Sequence, residues 1–291
     1  MVKRLFLCAT MMLAIAISAR ADQVTTDTSL TNGKATTSTI DSGTSAAIVP
    51  LASDTSIDLW ELVPSAWGVD AGSVGSTTAK YPRNGTVGLS VDYSSLLPNN
   101  AGVNGYDFIF YGGDQYGDQI GGQPPVFPEQ LSSKTLTLDT TYKLGGTPGG
   151  DVDVLFDEWL IPTQGYNGGS SGAMEVEVLP FCRFAFGCVP CPTIKTFTEP
   201  ITVNGTVTFV PFTEDSCQLG AGGDVLFSPA SGNGFSNAEI SFNMMDFLNE
   251  AATEASLSGW WVAGMELGTE YGDASSLNYL MTISKLEIDQ Q

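Results

Sequence analysis

Three segments with the alternating apolar pattern of β-strands each carry a pair of carboxylates at an even spacing. The predicted strands cover residues 152–161, 173–180 and 259–270. Because successive side chains point to opposite faces of a strand, both acids of a segment share one face. The acids are Asp153, Asp157, Glu175, Glu177, Glu266 and Glu270. Paired carboxylates cleave glycosidic bonds, and sugar rings stack on nearby tryptophans. Solvation of a sheet face is the simpler explanation for any one of these acids alone.

The composition restricts the available chemistry to carboxylates, hydroxyls, amides and aromatic rings. The 291 residues include no histidine, which excludes a Ser-His-Asp triad, a Cys-His pair and a histidine-ligated metal. Lysine and arginine together number 11 against 32 acids, so the formal charge is −21. A nucleic-acid partner is disfavoured, because binding to phosphates requires basic patches.

The N-terminus has the pattern of an export signal. A basic pair precedes an apolar run that ends at Ile17, and Ala19-Arg20-Ala21 has the form of a signal-peptidase site. The run is short for a bilayer span, which favours a signal peptide over a membrane anchor. We therefore expect a secreted, monomeric protein that no membrane retains. Its predicted parts are a signal peptide over 1–21, a Ser/Thr-rich linker over 22–57 and one domain over 58–291.

Four cysteines follow the predicted signal peptide within one short window. They are Cys182, Cys188, Cys191 and Cys217. An even number in an exported protein predicts two disulfides, with three pairings open. The spacing of Cys188 and Cys191 leaves a zinc site of four thiolates as the alternative. In either case we expect structural cysteines that lie far from the carboxylates.

Short apolar segments separated by glycine and asparagine continue along the chain from about residue 58. They predict further strands at 85–93, 107–111, 134–142, 201–211, 224–228 and 279–288. Within 259–270, the alternation assigns Trp261 and Ala263 to the core and Trp260 to the face of the acids. Apolar residues recur at helical spacing over 243–256, which predicts one helix with Asn243 as its N-cap. Many strands and one late helix predict an all-β, two-sheet sandwich or jelly roll.

Several short motifs follow one another in a characteristic order. They are Ala66-Trp67-Gly68, Gly105-Tyr106, Phe110-Tyr111-Gly112, Phe156-Asp157-Glu158-Trp159, Ser171-Gly172-Ala173-Met174-Glu175-Val176-Glu177-Val178, Asp246-Phe247-Leu248 and Gly268-Thr269-Glu270-Tyr271-Gly272. No single motif is specific, but the ordered set resembles glycoside hydrolase family 12 from about residue 58 to the C-terminus.

This resemblance implies a β-jelly roll with a concave substrate cleft and one helix, and retaining endo-hydrolysis of β-1,4-glucans or xyloglucan. It implies Glu175 as the nucleophile, Glu270 as the acid/base and Asp157 as a helper carboxylate. Such a mechanism requires neither a metal nor a cofactor. The predicted sugar platforms, each with core packing as the alternative, are Trp67, Tyr106, Tyr111 and Trp159.

Two positions depart from the pattern of the family. Glu177 stands where the family has methionine, and Leu179 stands where it has tryptophan. Glu177 shares the face of Glu175 and is predicted to be a substrate-binding residue. Its negative charge is expected to disfavour the ionisation of Glu175. A non-catalytic glucan-binding jelly roll is therefore the alternative function.

Overall fold

The computed structural model describes most of the chain after residue 73 and short stretches before it. The described residues are 24–31, 34–37, 61–64, 66, 69, 73–81, 86–97, 103–116, 119–120, 127–132, 134–146, 149–184, 191–272 and 274–290. The predicted signal peptide, Trp67 and Cys188 lie outside these residues. In the described part, no helix is long and apolar enough to cross a membrane.

Eighteen strands and one α-helix make up the described structure. The first nine strands are β1 (Val24–Thr31), β2 (Lys34–Thr37), β3 (Glu61–Val63), β4 (Val74–Tyr81), β5 (Val87–Ser95), β6 (Val103–Gly113), β7 (Gln119–Ile120), β8 (Glu129–Gln130) and β9 (Leu136–Gly146). They are followed by β10 (Asp151–Ile161), β11 (Met174–Arg183), β12 (Thr193–Val203), β13 (Thr206–Asp215), β14 (Asp224–Pro229), β15 (Asn237–Asn243), α1 (Met244–Glu254), β16 (Trp261–Val262), β17 (Gly264–Gly272) and β18 (Leu277–Gln290).

The strand pairings form one strongly curled sheet. Its hydrogen-bonded path runs through β4, β5, β18, β9, β15, β12, β13, β14, β11, β10, β17 and β6. Along this path the neighbours are antiparallel, except that β14 is parallel to β11. Buried residues of β5, β9 and β18 share one hydrophobic core with those of β10, β11 and β17. Because the curled sheet packs on itself in two layers, the predicted all-β jelly roll with one helix is confirmed.

The helix α1 closes one part of the core with its apolar face. Phe247 contacts four rings at centroid distances of 5.1–5.5 Å: Phe197, Phe212, Phe227 and Phe242. The predicted N-cap, Asn243, makes no capping hydrogen bond with its side chain. Its Oδ1 instead accepts the Leu136 N–H at 2.8 Å, because Asn243 is directly opposite Thr137, the residue that follows Leu136 on β9.

Three details differ from the strand predictions. The predicted strand over 201–211 is a hairpin of β12 and β13, in which Asn204 and Gly205 both have positive φ, as a two-residue turn requires. The strands β3, β4, β7, β8 and β15 were not predicted. Two strands, β1 and β2, lie inside the predicted linker, and β1 pairs with β4. Threonine is frequent in β1, and its β-branched side chain favours the extended backbone.

The alternation of side chains changes between β16 and β17. Ala263 lies between the two strands, donates its N–H to the Trp159 carbonyl and accepts the Gly113 N–H. This break in the alternation at Ala263 places Trp261 and Ala263 on the side of Trp159, whereas Trp260 packs against the main core. The predicted faces of these three residues were therefore wrong, because one extra residue reverses the two-residue period.

Candidate active site

Acidic side chains line the face of the curled sheet that points away from the main core, here called the cleft face. On β11, the alternate residues Met174, Val176 and Val178 enter the core, so Glu175 and Glu177 lie on the cleft face. Glu175 is directly opposite Trp159 of β10 and Asp224 of β14. The sequence alternation thus predicted this face correctly.

Asp157 occupies the centre of the acidic group. It is directly opposite Glu177 on β11 and opposite Glu266 on β17. A hydrogen bond joins its carboxyl group to that of Glu175. Burial first, then the charges of Glu175 and Glu266, raise the pKa of Asp157 well above its ordinary value. The raised pKa favours the protonated form of Asp157, which is the form that donates in the hydrogen bond to Glu175.

Glu270 lies on β17 opposite Tyr106 of β6. Its backbone N–H donates to Asp153 Oδ1 at 2.8 Å, which connects Glu270 to the neighbouring strand β10. Burial, followed by the charges of Asp153 and Glu175, raises the pKa of Glu270 well above its ordinary value. The raised pKa favours the protonated form of Glu270, which is the form that a general acid needs.

Different neighbouring charges raise the pKa values of Glu175 and Glu177. Burial and then the charge of Asp224 raise the pKa of Glu175 to about 7, while the hydrogen bond from Asp157 lowers it. Burial, then the charges of Glu270 and Glu175, raise the pKa of Glu177 well above its ordinary value. The neighbouring charge that raises the pKa of Glu175 is that of Asp224, and the charges that raise the pKa of Glu177 are those of Glu270 and Glu175.

A pocket of about 270 Å³ opens beside Glu175. Its lining is largely polar and comes from four segments of the chain. The lining residues are Trp159, Ser170, Glu175, Cys217, Gln218, Gly222, Gly223 and Asp224. A ligand in this pocket would reach the carboxyl group of Glu175.

The comparisons with known proteins rest on structure alone, because neither a family model nor a curated protein matches the chain by sequence. A metagenome-derived glycoside hydrolase family 12 endoglucanase matches with a TM-score of 0.63 and 12% identity, over 93% of this chain and 98% of that chain. The family 12 xyloglucanase from Bacillus licheniformis matches with a TM-score of 0.59 and 18% identity, over 80% and 93%. The catalytic domain of a Humicola grisea enzyme gives 0.56 and 15%, over 80% and 93%. This chain has the fold of glycoside hydrolase family 12.

Within this family-12 fold, the predicted sugar platforms are divided between two faces. Trp159 is 9% exposed and lines the pocket at Glu175. Tyr106 is on the cleft face and stacks on Phe108, with ring centroids 4.5 Å apart. Tyr111 is 0% exposed and packs in the main core against Phe127. Tyr111 is five positions after Tyr106, and because this spacing is odd, the two rings point to opposite faces and the structure does not bring Tyr111 to the cleft.

The cysteines lie closer to the acids than expected. Cys191 and Cys217 form a disulfide, which confirms one predicted bridge and contradicts the alternative of four zinc-binding thiolates. Cys182 is also disulfide-bonded. The expected distance from the carboxylates is wrong, since Cys217 lines the Glu175 pocket and Cys182 is opposite Asp153 on the neighbouring strand.

A second group of acids lies around Lys195. Its ammonium group is 2.6 Å from Glu250 and 3.7 Å from Glu214, and also contacts Glu254. Among the described residues, these three glutamates are the acids close enough together to share one cation. Because Lys195 already supplies the positive charge, the group is a salt-bridge network at the end of α1.

No local pattern in the sequence indicated two residues at the site, Asp224 and Gln218. Asp224 begins a predicted strand, but only the parallel pairing of β14 with β11 places it beside Glu175. Gln218 belongs to the loop that precedes β14 and lines the same pocket. Because parallel pairing joins segments that are distant in the chain, a local periodic pattern does not predict it.

Proposed function

We propose that the protein is an exported retaining endo-β-1,4-glucanase that acts on cellulose-type β-glucans or xyloglucan. The observation that carries this proposal is the contrast between two carboxyl groups in one acidic group on the cleft face. Glu175 lines a pocket and accepts a hydrogen bond from Asp157 that lowers its pKa, whereas burial and the charges of Asp153 and Glu175 raise the pKa of Glu270 well above its ordinary value. One group is suited to attack and the other to donate a proton.

In the proposed mechanism, the Glu175 carboxylate attacks the anomeric carbon while Glu270 donates its proton to the departing glycosidic oxygen. The C–O bond to the leaving sugar breaks as the glycosyl–Glu175 ester forms. Glu270, now a carboxylate, takes a proton from water, and the resulting hydroxide oxygen attacks the same carbon and releases Glu175. Two inversions at one carbon give overall retention.

Asp157 acts on the reaction through Glu175. Its protonated carboxyl group stabilises the charged nucleophile through their hydrogen bond, which lowers the pKa of Glu175. Tyr106 and Trp159 are the described residues proposed as sugar contacts.

The class of substrate is proposed from the structural neighbours. One is an endoglucanase, one is a xyloglucanase, and the Humicola grisea domain was solved in complex with a soaked thio cellotetraose. The disulfide and the family-12 fold are consistent with an extracellular protein. A neutral polysaccharide also meets no charge repulsion from this strongly acidic chain.

The experiment is the release of new reducing ends from carboxymethyl-cellulose, mixed-linkage β-glucan and xyloglucan. We expect wild-type turnover on at least one polymer, no turnover in Glu175→Ala, and wild-type rates in the control Glu239→Gln, whose side chain is exposed on β15. Activity that survives in Glu175→Ala would refute the assignment of the nucleophile.

Glu177 supports a second candidate, a non-catalytic glucan-binding protein with the same fold. A half-buried acid replaces the methionine that the family resemblance leads one to expect, and its charge adds to the acidic group around the proposed nucleophile. This candidate predicts measurable binding of cello-oligosaccharides with no reducing ends released by the wild type. The same polymer assay, combined with calorimetric titration, distinguishes the two functions.

A further inference from the structure

The loop between β13 and β14 forms one wall of the pocket at Glu175. It is hydrogen-bonded to the chain at Glu175 itself and at Ala173, two residues before it. The Gly222 N–H donates to the Ala173 carbonyl at 2.7 Å, and the Glu175 N–H donates to the Gly223 carbonyl at 3.0 Å. The wall therefore has a fixed position relative to Glu175.

The loop is compact because its backbone turns sharply. The Asp224 N–H donates to the Gln218 carbonyl at 3.0 Å, and the Gly223 N–H donates to the Gly220 carbonyl at 2.9 Å. A Cβ atom on Gly223 would lie 1.8 Å from the Gln218 carbonyl oxygen, so no larger residue fits this turn. These contacts bring the side chains of Gln218 and Asp224 to the same pocket.

The disulfide anchors the start of this loop. Cys217 is bonded to Cys191, and the Cys217 N–H donates to Asp224 Oδ1 at 3.2 Å. One carboxylate oxygen of Asp224 is thus held by the cross-linked residue, while the side chain stays partly exposed in the pocket. A carboxylate held in this way is a rigid acceptor for hydroxyl groups.

We propose that this pocket is a sugar subsite in which Asp224 and Gln218 bind the hydroxyl groups of one glucosyl unit. Trp159 contributes its exposed edge, and the Cys191–Cys217 disulfide holds the wall in place. This inference rests on the proposed function and adds two specificity-determining residues to it. Asp224 and Gln218 recognise hydroxyl groups by direct hydrogen bonds, and the disulfide acts through its position only.

Vicinal hydroxyl groups are the chemistry that this pocket recognises best. A carboxylate accepts two hydroxyl protons, and an amide both donates and accepts, which matches the donor and acceptor pairs on a pyranose ring. A hydrogen bond to a charged group changes affinity by about 10- to 100-fold when it is removed. The loss of Asp224 is therefore expected to have a larger effect than the loss of Gln218.

Calorimetric titration of cellotetraose in a Glu175→Gln background separates binding from turnover. We expect Asp224→Ala to weaken binding by about 10- to 100-fold, and Gln218→Ala to weaken it several-fold. Asp224→Asn keeps an acceptor oxygen and should restore part of the affinity. The matched control is Leu219→Ala, which changes an exposed residue of the same loop that does not line the pocket. Circular dichroism and Tm check that every variant is folded.

Steady-state kinetics on cello-oligosaccharides give the second readout. Asp224→Ala and the double variant Cys191→Ser/Cys217→Ser should raise KM far more than they lower kcat, since the contacts are made in the bound ground state as well as in the transition state. Affinity and KM within about twofold of wild type in folded Asp224→Ala would overturn the subsite.

The outcomes also distinguish the subsite from the enzymatic function. If the wild type binds cellotetraose without turnover and Asp224→Ala weakens that binding, the proposed function fails and the subsite stands. If the wild type binds no cello-oligosaccharide, the subsite is overturned along with the substrate class. If turnover is normal and insensitive to Asp224 and Gln218, the function stands and the subsite falls.

Discussion

The hydrogen bond between Asp157 and Glu175 predicts the pH dependence of the proposed reaction. Glu175 must be ionised to attack, and its pKa is raised from 4.5 to about 7 by burial and by Asp224, even with the hydrogen bond from Asp157 opposing the rise. The acidic limb of kcat/KM for the wild type is therefore expected near pH 7. At about pH 5, only about 1% of the nucleophile is ionised, so kcat/KM falls about 100-fold below its plateau.

Removal of the hydrogen bond moves this limb in a defined direction. A hydrogen bond to a charged group contributes about 1.5–3 kcal/mol, which corresponds to about one to two pKa units. Asp157→Ala should therefore raise the pKa of Glu175 and shift the acidic limb to higher pH by about one unit or more. Asp157→Asn is the matched control, because its amide can still donate to Glu175 and keeps the size of the side chain.

The assay is the initial rate on a soluble cello-oligosaccharide at substrate concentrations far below KM, measured from about pH 4 to pH 10. We expect the acidic limb of Asp157→Asn to lie between those of the wild type and Asp157→Ala. A wild-type limb near the ordinary carboxyl value of 4.5, or an unchanged limb in Asp157→Ala, would show that Asp157 does not control the ionisation of the nucleophile.

Three further predictions concern stability, stereochemistry and the cysteines. Glu158 is 0% exposed, neither of its carboxylate oxygens has a hydrogen-bond partner among the described residues, and burial raises its pKa. The folded state therefore keeps a proton that the unfolded state loses, so stability falls as pH rises through the interval between the two pKa values. Glu158→Gln should stabilise the protein by about 1–3 kcal/mol, or roughly 2–12 °C in Tm, with a larger gain at pH 8 than at pH 4 and none in Glu239→Gln. NMR of the first products should show the β-anomer, and the α-anomer would exclude a Glu175 ester. Mass spectrometry should find Cys182, Cys188, Cys191 and Cys217 alkylated only after reduction, and bound zinc or free thiols would contradict the second disulfide.

Local periodicity was sufficient to predict the fold class and the acidic face. The alternation along β11 placed Glu175 and Glu177 on the face away from Met174, Val176 and Val178, because a strand has a fixed period of two residues. Asp157 was joined to these two acids by the family resemblance. The helical spacing of apolar residues likewise located α1 to within two residues of its ends. Both signals are contained in a few consecutive residues, so no tertiary information is needed to read them.

The partners of those acids depend on contacts that no local pattern contains. The parallel pairing of β14 with β11 brings Asp224 beside Glu175, and the Cys191–Cys217 disulfide attaches a loop to the same pocket. The interruption at Ala263 reverses the faces of Trp260 and Trp261, although the sequence around it alternates without a visible break. The sequence by itself therefore determined which faces carry the acids. Only the tertiary structure decided which acids meet, because strand pairing, register and bulges are set by packing between distant segments.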